Sequence, residues 1–456
     1  MIVQLLISLI LLLDVFNLVW PLLPVRRRPR VADFLPALAL GFCLLEFLLD
    51  EFRFRMFPAY LLTGGIFFLT LGRFFRPPSE QPKRRRQAIL TILIGFPWLL
   101  LSAAIPLALP FHPIPEATGP YAVGTIVYAW KDTSRLETYT DDPSDFRELP
   151  VGIWYPVDKP APAAPGAVGI APVSSAQAAY PLLVFSPGAF GPRDSNISTY
   201  QELASHGYIV AAIDHTYQTP YAGFPDGRTI LISPQFMQEA QAQGRTALTS
   251  PEENARILSG WISLRLADLR FVMDRLEEIH KNSGQGPLAG RMDLQRIGWI
   301  GHSLGGTSIA EFCREDARCQ AALDLDGPLA GDRLSADEAP FPKPLMLMYS
   351  GVLYSDSKYH DLIYTASDKA FQRATHPAYA LVISGAGHMN FTDLPLLSPV
   401  LAAALGTGPI NPDRCIRIVN TYALAFFDKH LKDEAVPLLI GPSSAYPEVT
   451  FEARGR

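Results

Sequence analysis

The sequence has few charged residues and few cysteines for its length. Charged side chains make up 18% of the 456 residues, whereas hydrophobic side chains make up 48%. A chain so poor in charge is too apolar for an ordinary soluble enzyme, which predicts that part of it lies in lipid. Four cysteines are too few for a disulfide framework. Internal repeats are lacking, and the arginine clusters lie between apolar runs, so we expect no nucleic-acid partner.

Metal-ligand spacing is also lacking. No cluster of histidine, cysteine and aspartate has the pattern of a metal site, so we expect neither a metal nor another cofactor.

Cys43 lies in an apolar run and is expected in a core. Cys313 and Cys319 flank a short charged turn. Two interpretations of that pair stay open: a disulfide, if the domain faces an oxidising compartment, or two free buried thiols.

The first 110 residues are predicted to form a module of four transmembrane helices. They contain four apolar runs, each close to the ~20 residues that cross the hydrocarbon core. The runs lie at about 1–23, 31–49, 58–75 and 88–109. Asp14, Asp33 and Glu46 interrupt the first two runs and are expected to face the bundle interior or lie near an interface.

Basic residues in the loops predict the orientation of this module. No Lys or Arg precedes the first run, which argues against a cleaved signal peptide. The first and third loops are basic, whereas the second has two arginines offset by Asp50 and Glu51. The positive-inside rule then places everything after Pro110 on the extracytoplasmic side of a cell (inner) membrane. The basic residues of loops one and three are Arg26, Arg27, Arg28, Arg30, Arg73, Arg76, Lys83, Arg84, Arg85 and Arg86.

The remaining residues predict a linker at 111–120, rich in Pro and Gly, and one large domain at 121–456. Short β-rich runs alternate there with helical stretches, which predicts a mostly parallel sheet with helices on both faces. The predicted strands are 125–130, 151–155, 182–185, 209–213, 296–300, 321–325, 344–349 and 379–383. The predicted helices are 198–206, 252–280, 303–313 and 416–431. The stretch 159–179 is expected to be a flexible loop, and 218–251 is either a lid or a plain excursion.

Ser303 is the candidate nucleophile. It lies in Gly301-His302-Ser303-Leu304-Gly305, between a predicted strand and a predicted helix. A G-x-S-x-G motif in that setting forms a sharp turn that presents the serine at the C-terminal edge of the sheet, as in the α/β-hydrolase fold. The flanking glycines are needed because side chains would clash in so tight a turn. His302 is expected to point elsewhere and to be structural.

A serine hydroxyl needs a base, and the base needs an orienting acid. His388 follows the last predicted strand, where this fold carries its histidine. Asp326, where strand 321–325 gives way to a loop, is the favoured acid, and Asp324 is its rival. Strand alternation puts both on one face, so parity does not separate them. Asp356 and Asp361 are weaker candidates beyond the next strand.

An oxyanion hole is expected at two backbone amides. One is the N–H of Leu304, directly after the nucleophile, and the other belongs to the loop after the third strand. In that loop, 185–191, the amide of Ala189 is the natural donor, because Gly188 lets the backbone come close.

Several motifs together resemble one family. The turn at 185–188, the helix-to-strand segment at 203–212, the elbow at 301–306 and the histidine motif at 388–393 are similar to those of the plasma-type platelet-activating-factor acetylhydrolases. Related bacterial lipases, polyester hydrolases and chlorophyllases share them. Acetylhydrolases carry His where this chain has Pro187. The resemblance spans most of the large domain, and bacterial members with N-terminal helices resemble the whole chain.

This resemblance implies hydrolysis of lipid or short-chain acyl esters through an acyl-enzyme on Ser303, without a metal. His388 is then the base, and either Asp326 or Asp324 is the acid. Two alternatives stay open: an acyltransferase that uses the same acyl-enzyme, and a non-catalytic membrane protein with a degenerate hydrolase domain. Chain length, head group, natural substrate and oligomeric state do not follow from the sequence.

Overall fold

The computed structural model describes nine stretches of the chain: residues 2–19, 34–50, 56–74, 81–108, 114–159, 171–247, 249–282, 286–329 and 340–455. Two compact units divide it. The first is Met1–His112 with Leu397–Leu401, and the second is Pro113–Leu396 with Ala402–Arg456. Most of the loop expected at 159–179 lies outside the described residues.

Four helices form the first unit and coincide with the four apolar runs. They are α1 (Ile2–Val19), α2 (Leu35–Asp50), α3 (Phe57–Phe74) and α4 (Gln81–Ala108). Asp14 of α1 is buried and accepts a hydrogen bond of 2.8 Å from Thr63 of α3. Glu46 of α2 is buried and accepts one from Tyr60 of α3. These carboxyl groups therefore face a neighbouring helix, which lowers the cost of their burial. Asp33 lies outside the described residues.

The predicted membrane crossing of these helices has no support in the structure. Among the described residues, no helix combines the length and the apolar character needed to cross a bilayer. Helices α1, α2 and α3 have 18, 16 and 18 residues. At 1.5 Å per residue they extend only about 24–27 Å, against a hydrocarbon core of ~30 Å. Helix α4 has 28 residues, but its first turns contain the basic run 83–86.

A nine-stranded sheet forms the centre of the second unit. Its strands stand in the order β1-β2-β4-β3-β7-β8-β9-β10-β11, and β5 pairs with β6 in a separate hairpin. The six strands from β4 to β10 in that order are parallel, whereas the pairs β1–β2, β2–β4 and β10–β11 are antiparallel. The strands are β1 (Ala122–Leu136), β2 (Phe146–Val157), β3 (Tyr180–Ser186), β4 (Ile209–Ile213), β5 (Tyr221–Gly223), β6 (Thr229–Leu231), β7 (Met292–His302), β8 (Ala321–Leu325), β9 (Leu345–Ser350), β10 (Ala378–Ile383) and β11 (Val449–Arg454).

Helices cover both faces of this sheet. Side chains of β3 alternate between the faces: Leu182 and Val184 join the core beneath α7 and α8, and Leu183 and Phe185 join the core beneath α5 and α14. A parallel sheet buried on both faces needs such continuous apolar strands. In chain order, the helices that follow β3 are α5 (Ile197–Ser205), α6 (Pro234–Thr246), α7 (Pro251–Lys281), α8 (Leu304–Glu315), α9 (Gly351–Tyr354), α10 (Ser357–Ile363), α11 (Thr365–Gln372), α12 (Leu394–Leu397), α13 (Pro399–Ala404) and α14 (Pro412–Leu431).

The predicted strands and long helices are all present, and the strands at 209–213 and 321–325 have the predicted bounds. The sequence missed β11 and the structure of the insertion at 218–251, which contains the β5–β6 hairpin and α6. Helix α6 is polar along most of its length, and Phe236 is its one fully buried side chain among the described residues. A single buried residue leaves no apolar periodicity to detect.

The structure decides between the two interpretations of Cys313 and Cys319, because the two residues form a disulfide. The bridge joins the C-terminal part of α8 to the chain just before β8. Cys43 is buried in the core of the first unit, and Cys415 is free and buried in the second.

Candidate active site

Ser303 lies at the sharp turn between β7 and α8. Its backbone angles are φ 54° and ψ −125°, in a region that residues with a side chain rarely occupy. The Ser303 amide donates to the carbonyl of Leu325 at the end of β8, and the Ser303 carbonyl accepts from the amide of Thr307. Both neighbouring elements therefore hold the strained residue in place, a condition that such strain requires and that is typical of functional sites.

Gly305 lets α8 begin against the end of strand β3. A Cβ atom at this position would lie 1.9 Å from the carbonyl oxygen of Ser186. Only glycine fits so close to a neighbouring backbone. The G-x-S-x-G pattern in the sequence thus reflects a contact between the serine turn and the end of β3.

His388 follows β10 and begins a single helical turn, His388–Phe391. Asn390 fixes this turn, because its side-chain oxygen accepts hydrogen bonds from the amides of Gly387 at 2.8 Å and Gly408 at 2.7 Å. The imidazole Nδ1 lies 2.8 Å from Oδ2 of Asp326. The His388 side chain is 31% exposed, whereas that of Asp326 is fully buried. One face of the imidazole is thus accessible while its Nδ1 is held by a carboxylate.

Asp326 makes three hydrogen bonds with its two carboxyl oxygens. Oδ2 pairs with His388, and Oδ1 accepts from the amide of Ser350 at 2.6 Å and from the hydroxyl of Tyr364 at 2.7 Å. Burial and the neighbouring Asp326 carboxylate raise the pKa of Tyr364, so its hydroxyl remains a donor over the physiological range. The carboxylate is therefore both oriented and stabilised by donors on three separate elements.

Asp324, the rival in the sequence, has different surroundings. Its Oδ1 accepts from the amide of Gly327 at 2.8 Å, while its buried Oδ2 has no hydrogen-bond partner in the described part of the chain. Burial, together with the charge of Asp326, raises the pKa of Asp324 well above its usual range. Asp326 has a φ of 58° and so has left the strand, which explains why the two side chains diverge despite their equal parity.

The turn after β3 lies directly against Ser303. A Cβ atom on Gly188 would come within 3.2 Å of the Ser303 Cβ and 3.0 Å of His302 Nδ1. The amides of Ala189 and Leu304 donate to no acceptor among the described residues. Leu304 is also the first residue of α8, where helical amides are left without partners. Two backbone donors are thus available near the serine.

His302 supports the histidine turn. Its Nε2 lies 3.2 Å from the carbonyl oxygen of His388, and the two rings are 4.7 Å apart. Burial lowers the pKa of His302 well below its usual range, and the charge of His388 acts in the same direction. His302 is therefore neutral and contacts the His388 main chain.

A buried polar cluster behind the turn was missed in the sequence. Ser186 Oγ lies 2.9 Å from Nε2 of His215, whose Nδ1 lies 2.9 Å from Asp268. Arg147 donates to both carboxyl oxygens of Asp268, at 3.1 and 2.7 Å. Burial lowers the pKa of His215 to about 4, so this histidine is neutral at physiological pH. Each of these groups is buried, so the cluster supports the site from behind and has no access to substrate.

One signal for this cluster was present in the sequence. Arg265 and Asp268 occupy positions on the apolar stripe of α7, between Trp261 and Val272. A charged residue on a buried helical face must find a partner inside the protein. Tyr364 left no such signal, because nothing in its local sequence relates it to a residue 38 positions earlier. Within the described residues, no group of His, Cys, Asp or Glu is arranged to hold a metal ion.

The fold and the serine turn together define an α/β-hydrolase. A mostly parallel sheet, a strained serine between a strand and a helix, and a His–Asp pair on later loops are the features of that class. The family model of platelet-activating factor acetylhydrolase, isoform II, matches residues 163–224 and 267–436. Because this match covers half of the chain, the protein belongs to that family, and the resemblance found in the sequence is confirmed.

Individual relatives agree with this assignment. A probable 1-alkyl-2-acetylglycerophosphocholine esterase from Arthroderma benhamiae is 27% identical over 59% of this chain and 66% of its own length. The platelet-activating factor acetylhydrolase of Cavia porcellus is 23% identical over 70% of this chain and 78% of its own. The solved structure of a ferulic acid esterase from Streptomyces cinnamoneus is 30% identical, with a TM-score of 0.59, over 74% of this chain and 98% of that protein. The chain thus spans about two thirds of the length of the first of these relatives.

Proposed function

We propose that this protein is a serine-dependent carboxylic ester hydrolase that acts on lipid or short-chain acyl esters. The observation that carries the proposal is the His388–Asp326 pair at 2.8 Å, at the same edge of the sheet as the strained Ser303. In this assignment Ser303 is the nucleophile, His388 the base and Asp326 the acid. The names of the relatives, two acetylhydrolases or acetyl-ester esterases and one ferulic acid esterase, support ester hydrolysis.

The reaction proceeds through an acyl-enzyme. Ser303 Oγ bonds to the acyl carbon of the ester while its proton passes to Nε2 of His388, and Asp326 stabilises the resulting imidazolium. The oxygen of the tetrahedral intermediate carries the negative charge and accepts from the amides of Leu304 and Ala189. Collapse of the intermediate breaks the ester bond, and the alcohol leaves with the proton of His388. Water then attacks the acyl-enzyme by the same route and releases the acid.

Helix α6 of the insertion at 218–251 packs against α7 and against the turn after β3. Phe236 of α6 is fully buried and packs 5.2 Å from Phe190 of the oxyanion turn and 5.0 Å from Trp261 of α7. The Trp261 indole also donates to Glu239 of α6 at 2.8 Å. Such contacts favour a packed excursion over a lid that opens. The names of the acetyl-ester relatives support short acyl groups as substrates.

Hydrolysis of a panel of esters tests the function. The full chain is expected to hydrolyse p-nitrophenyl acetate or butyrate and a 1-alkyl-2-acetylglycerophosphocholine, with kcat/KM at least about tenfold higher for the acetyl or butyryl esters than for the palmitate. Methyl ferulate is included in the same panel, so that an ester with an aromatic acyl group is compared with the aliphatic esters. The free acid and any new ester are measured with and without an added alcohol acceptor, which separates hydrolysis from acyl transfer. No turnover of any ester by the folded protein would contradict the proposal.

We also propose that the catalytic unit lies on the extracytoplasmic side of the cell membrane. The Cys313–Cys319 disulfide supports an oxidising compartment. The distribution of basic residues in the first 110 residues supports the same orientation. Large apolar side chains exposed on the first unit, such as Leu12, Leu48 and Phe68, favour contact with lipid.

A reporter tests this location. Alkaline phosphatase folds only in an oxidising compartment. When it is fused after Arg456, the membrane fraction is therefore expected to show phosphatase activity. A β-galactosidase fusion at the same position, which works only in the cytoplasm, is expected to be inactive. The reverse pattern would place the catalytic unit in the cytoplasm.

A further inference from the structure

A buried arginine lies directly behind the oxyanion turn. Arg265 of α7 is 1% exposed, and its hydrogen-bond partners are three carbonyl oxygens. The guanidinium donates to the backbone oxygens of Pro187 and of Gly188, the latter at 3.1 Å, and to the side-chain oxygen of Gln218 at 2.9 Å. Two consecutive peptide groups of the turn are therefore held by one rigid fork of donors.

Because the peptide group is planar, the hydrogen bond from Arg265 to the Gly188 oxygen also orients the amide of Ala189. In a planar trans peptide, the C=O of Gly188 and the N–H of Ala189 point in opposite directions. Holding the Gly188 oxygen against α7 therefore directs the Ala189 amide away from α7, in a turn where a Cβ atom on Gly188 would come within 3.2 Å of the Ser303 Cβ. The same oxygen also accepts from the amide of Gly191 at 3.0 Å, so the turn and Arg265 act on it together.

Gln218 holds the residue after Ala189, which is Phe190. Its backbone oxygen accepts from the amide of Phe190 at 3.1 Å, while its side chain links Arg265 to the hydroxyl of Tyr139. Phe190 has a φ of 62°, an uncommon value for a residue with a side chain. Residues 187–190 are thus fixed from behind by the side chain of Arg265 and the backbone of Gln218.

The charge of Arg265 has an electrostatic role that a neutral donor would lack. Burying a guanidinium is costly, and satisfying two backbone carbonyls needs only neutral donors. A cation at the carbonyl end of a peptide polarises that peptide and makes its N–H a stronger donor, as in a chain of cooperative hydrogen bonds. The N–H so strengthened is that of Ala189, one of the two oxyanion donors in the proposed mechanism.

We propose that Arg265 is a positioning residue that orients and polarises the Ala189 amide for the oxyanion. This inference rests on the proposed function, because it assigns a role in the same acyl-transfer chemistry. Arg265 does not itself touch the substrate and acts through the peptide between Gly188 and Ala189. Its effect must therefore appear in stabilisation of the tetrahedral intermediate rather than in substrate binding.

The test compares Arg265→Met and Arg265→Lys in the full chain. Loss of one oxyanion donor lowers kcat by about a hundredfold or more, so a misdirected donor is expected to cost about ten- to a hundredfold in Arg265→Met. KM is expected to change less than about threefold, and the affinity for a trifluoromethyl ketone, which forms a tetrahedral adduct, is expected to fall by the same factor as kcat. Arg265→Lys keeps the charge but lacks the fork, so an intermediate loss is expected.

Arg291→Met is the matched control. Arg291 also donates to two backbone carbonyls, those of Ser174 and Gln177, but outside the active site. Its variant is expected to keep kcat and the analogue affinity within about twofold. Thermal unfolding is measured for each variant, and if Arg265→Met does not fold, Arg265→Lys decides. Equal losses of kcat in Arg291→Met and the Arg265 variants would mean a purely structural role.

The unmodified protein and Ser303→Ala are assayed in the same series. If these two do not differ, the proposed function fails, and this inference fails with it. If activity depends on Ser303 while the folded Arg265 variants keep both kcat and analogue affinity, this inference alone is overturned.

Discussion

Replacing Ser303 with alanine is expected to lower kcat by at least about a thousandfold. The side-chain oxygen is the only protein atom in the proposed mechanism that bonds to the acyl group, and members of a Ser–His–Asp triad act as a unit. The residual rate comes from the oxyanion amides and from substrate binding. The fold should persist, because the backbone of Ser303, not its hydroxyl, makes the hydrogen bonds to Leu325 and Thr307.

Ser308→Ala is the matched control for this experiment. Ser308 is a buried serine of the same helix, and its hydroxyl donates to the carbonyl of Leu304 at 2.7 Å. Its removal is expected to change kcat less than about threefold, since such back-bonding contributes little to helix stability. A fluorophosphonate should add its mass to the unmodified protein and to Ser308→Ala but not to Ser303→Ala. Substantial activity in a folded Ser303→Ala would refute the nucleophile.

Asparagine substitutions at the two aspartates are expected to differ sharply. Asp326→Asn should lower kcat by about ten-thousandfold, the size of effect known for the acid of a triad. The reason lies in the donors around the carboxylate. The amide of Ser350 and the hydroxyl of Tyr364 both donate to Oδ1, so an asparagine keeps its oxygen there and presents its NH₂ to His388. The imidazole must then accept at Nδ1, which is the wrong tautomer for a base at Nε2.

Asp324→Asn serves as the paired control. Asp324 is buried, and burial raises its pKa well above the usual range, which favours the neutral form that an asparagine resembles. An amide of the same shape can still accept from Gly327, and we expect kcat to change less than about fivefold. Both variants are assayed from pH 5 to 9 after their folding is checked by circular dichroism. A low kcat in Asp324→Asn alone would transfer the role of acid to Asp324.

Much of the catalytic unit was predictable because its signals are local. Buried parallel strands such as 209–213 are continuous apolar runs, and the turn around Ser303 requires glycines at fixed positions. His388 followed from chain order within the fold. These features depend on residues that are neighbours in sequence, so they remain visible without a structure.

The remainder depends on contacts between distant segments. Asp324 and Asp326 have equal parity in the strand, and only the positive φ of Asp326 separates them. The donors of Tyr364 and Arg265 reach their acceptors across the fold, and the polar helix α6 buries a single side chain, Phe236, among the described residues. For residues 1–110, apolar composition predicted membrane spans, but three of the four helices are shorter than the hydrocarbon core.

The disulfide between Cys313 and Cys319 has a consequence for the unfolded chain. The cysteines are six residues apart, so the bridge closes a small ring. The ring lowers the conformational entropy of the unfolded chain, which corresponds to about 2 kcal/mol in favour of the folded state. The ring connects α8 to β8, and Ser303 directly precedes α8 while Asp326 directly follows β8. Without the disulfide, a chain made under reducing conditions must form this helix–strand turn from a larger set of unfolded conformations. The entropic cost then falls on the segment that contains both Ser303 and Asp326.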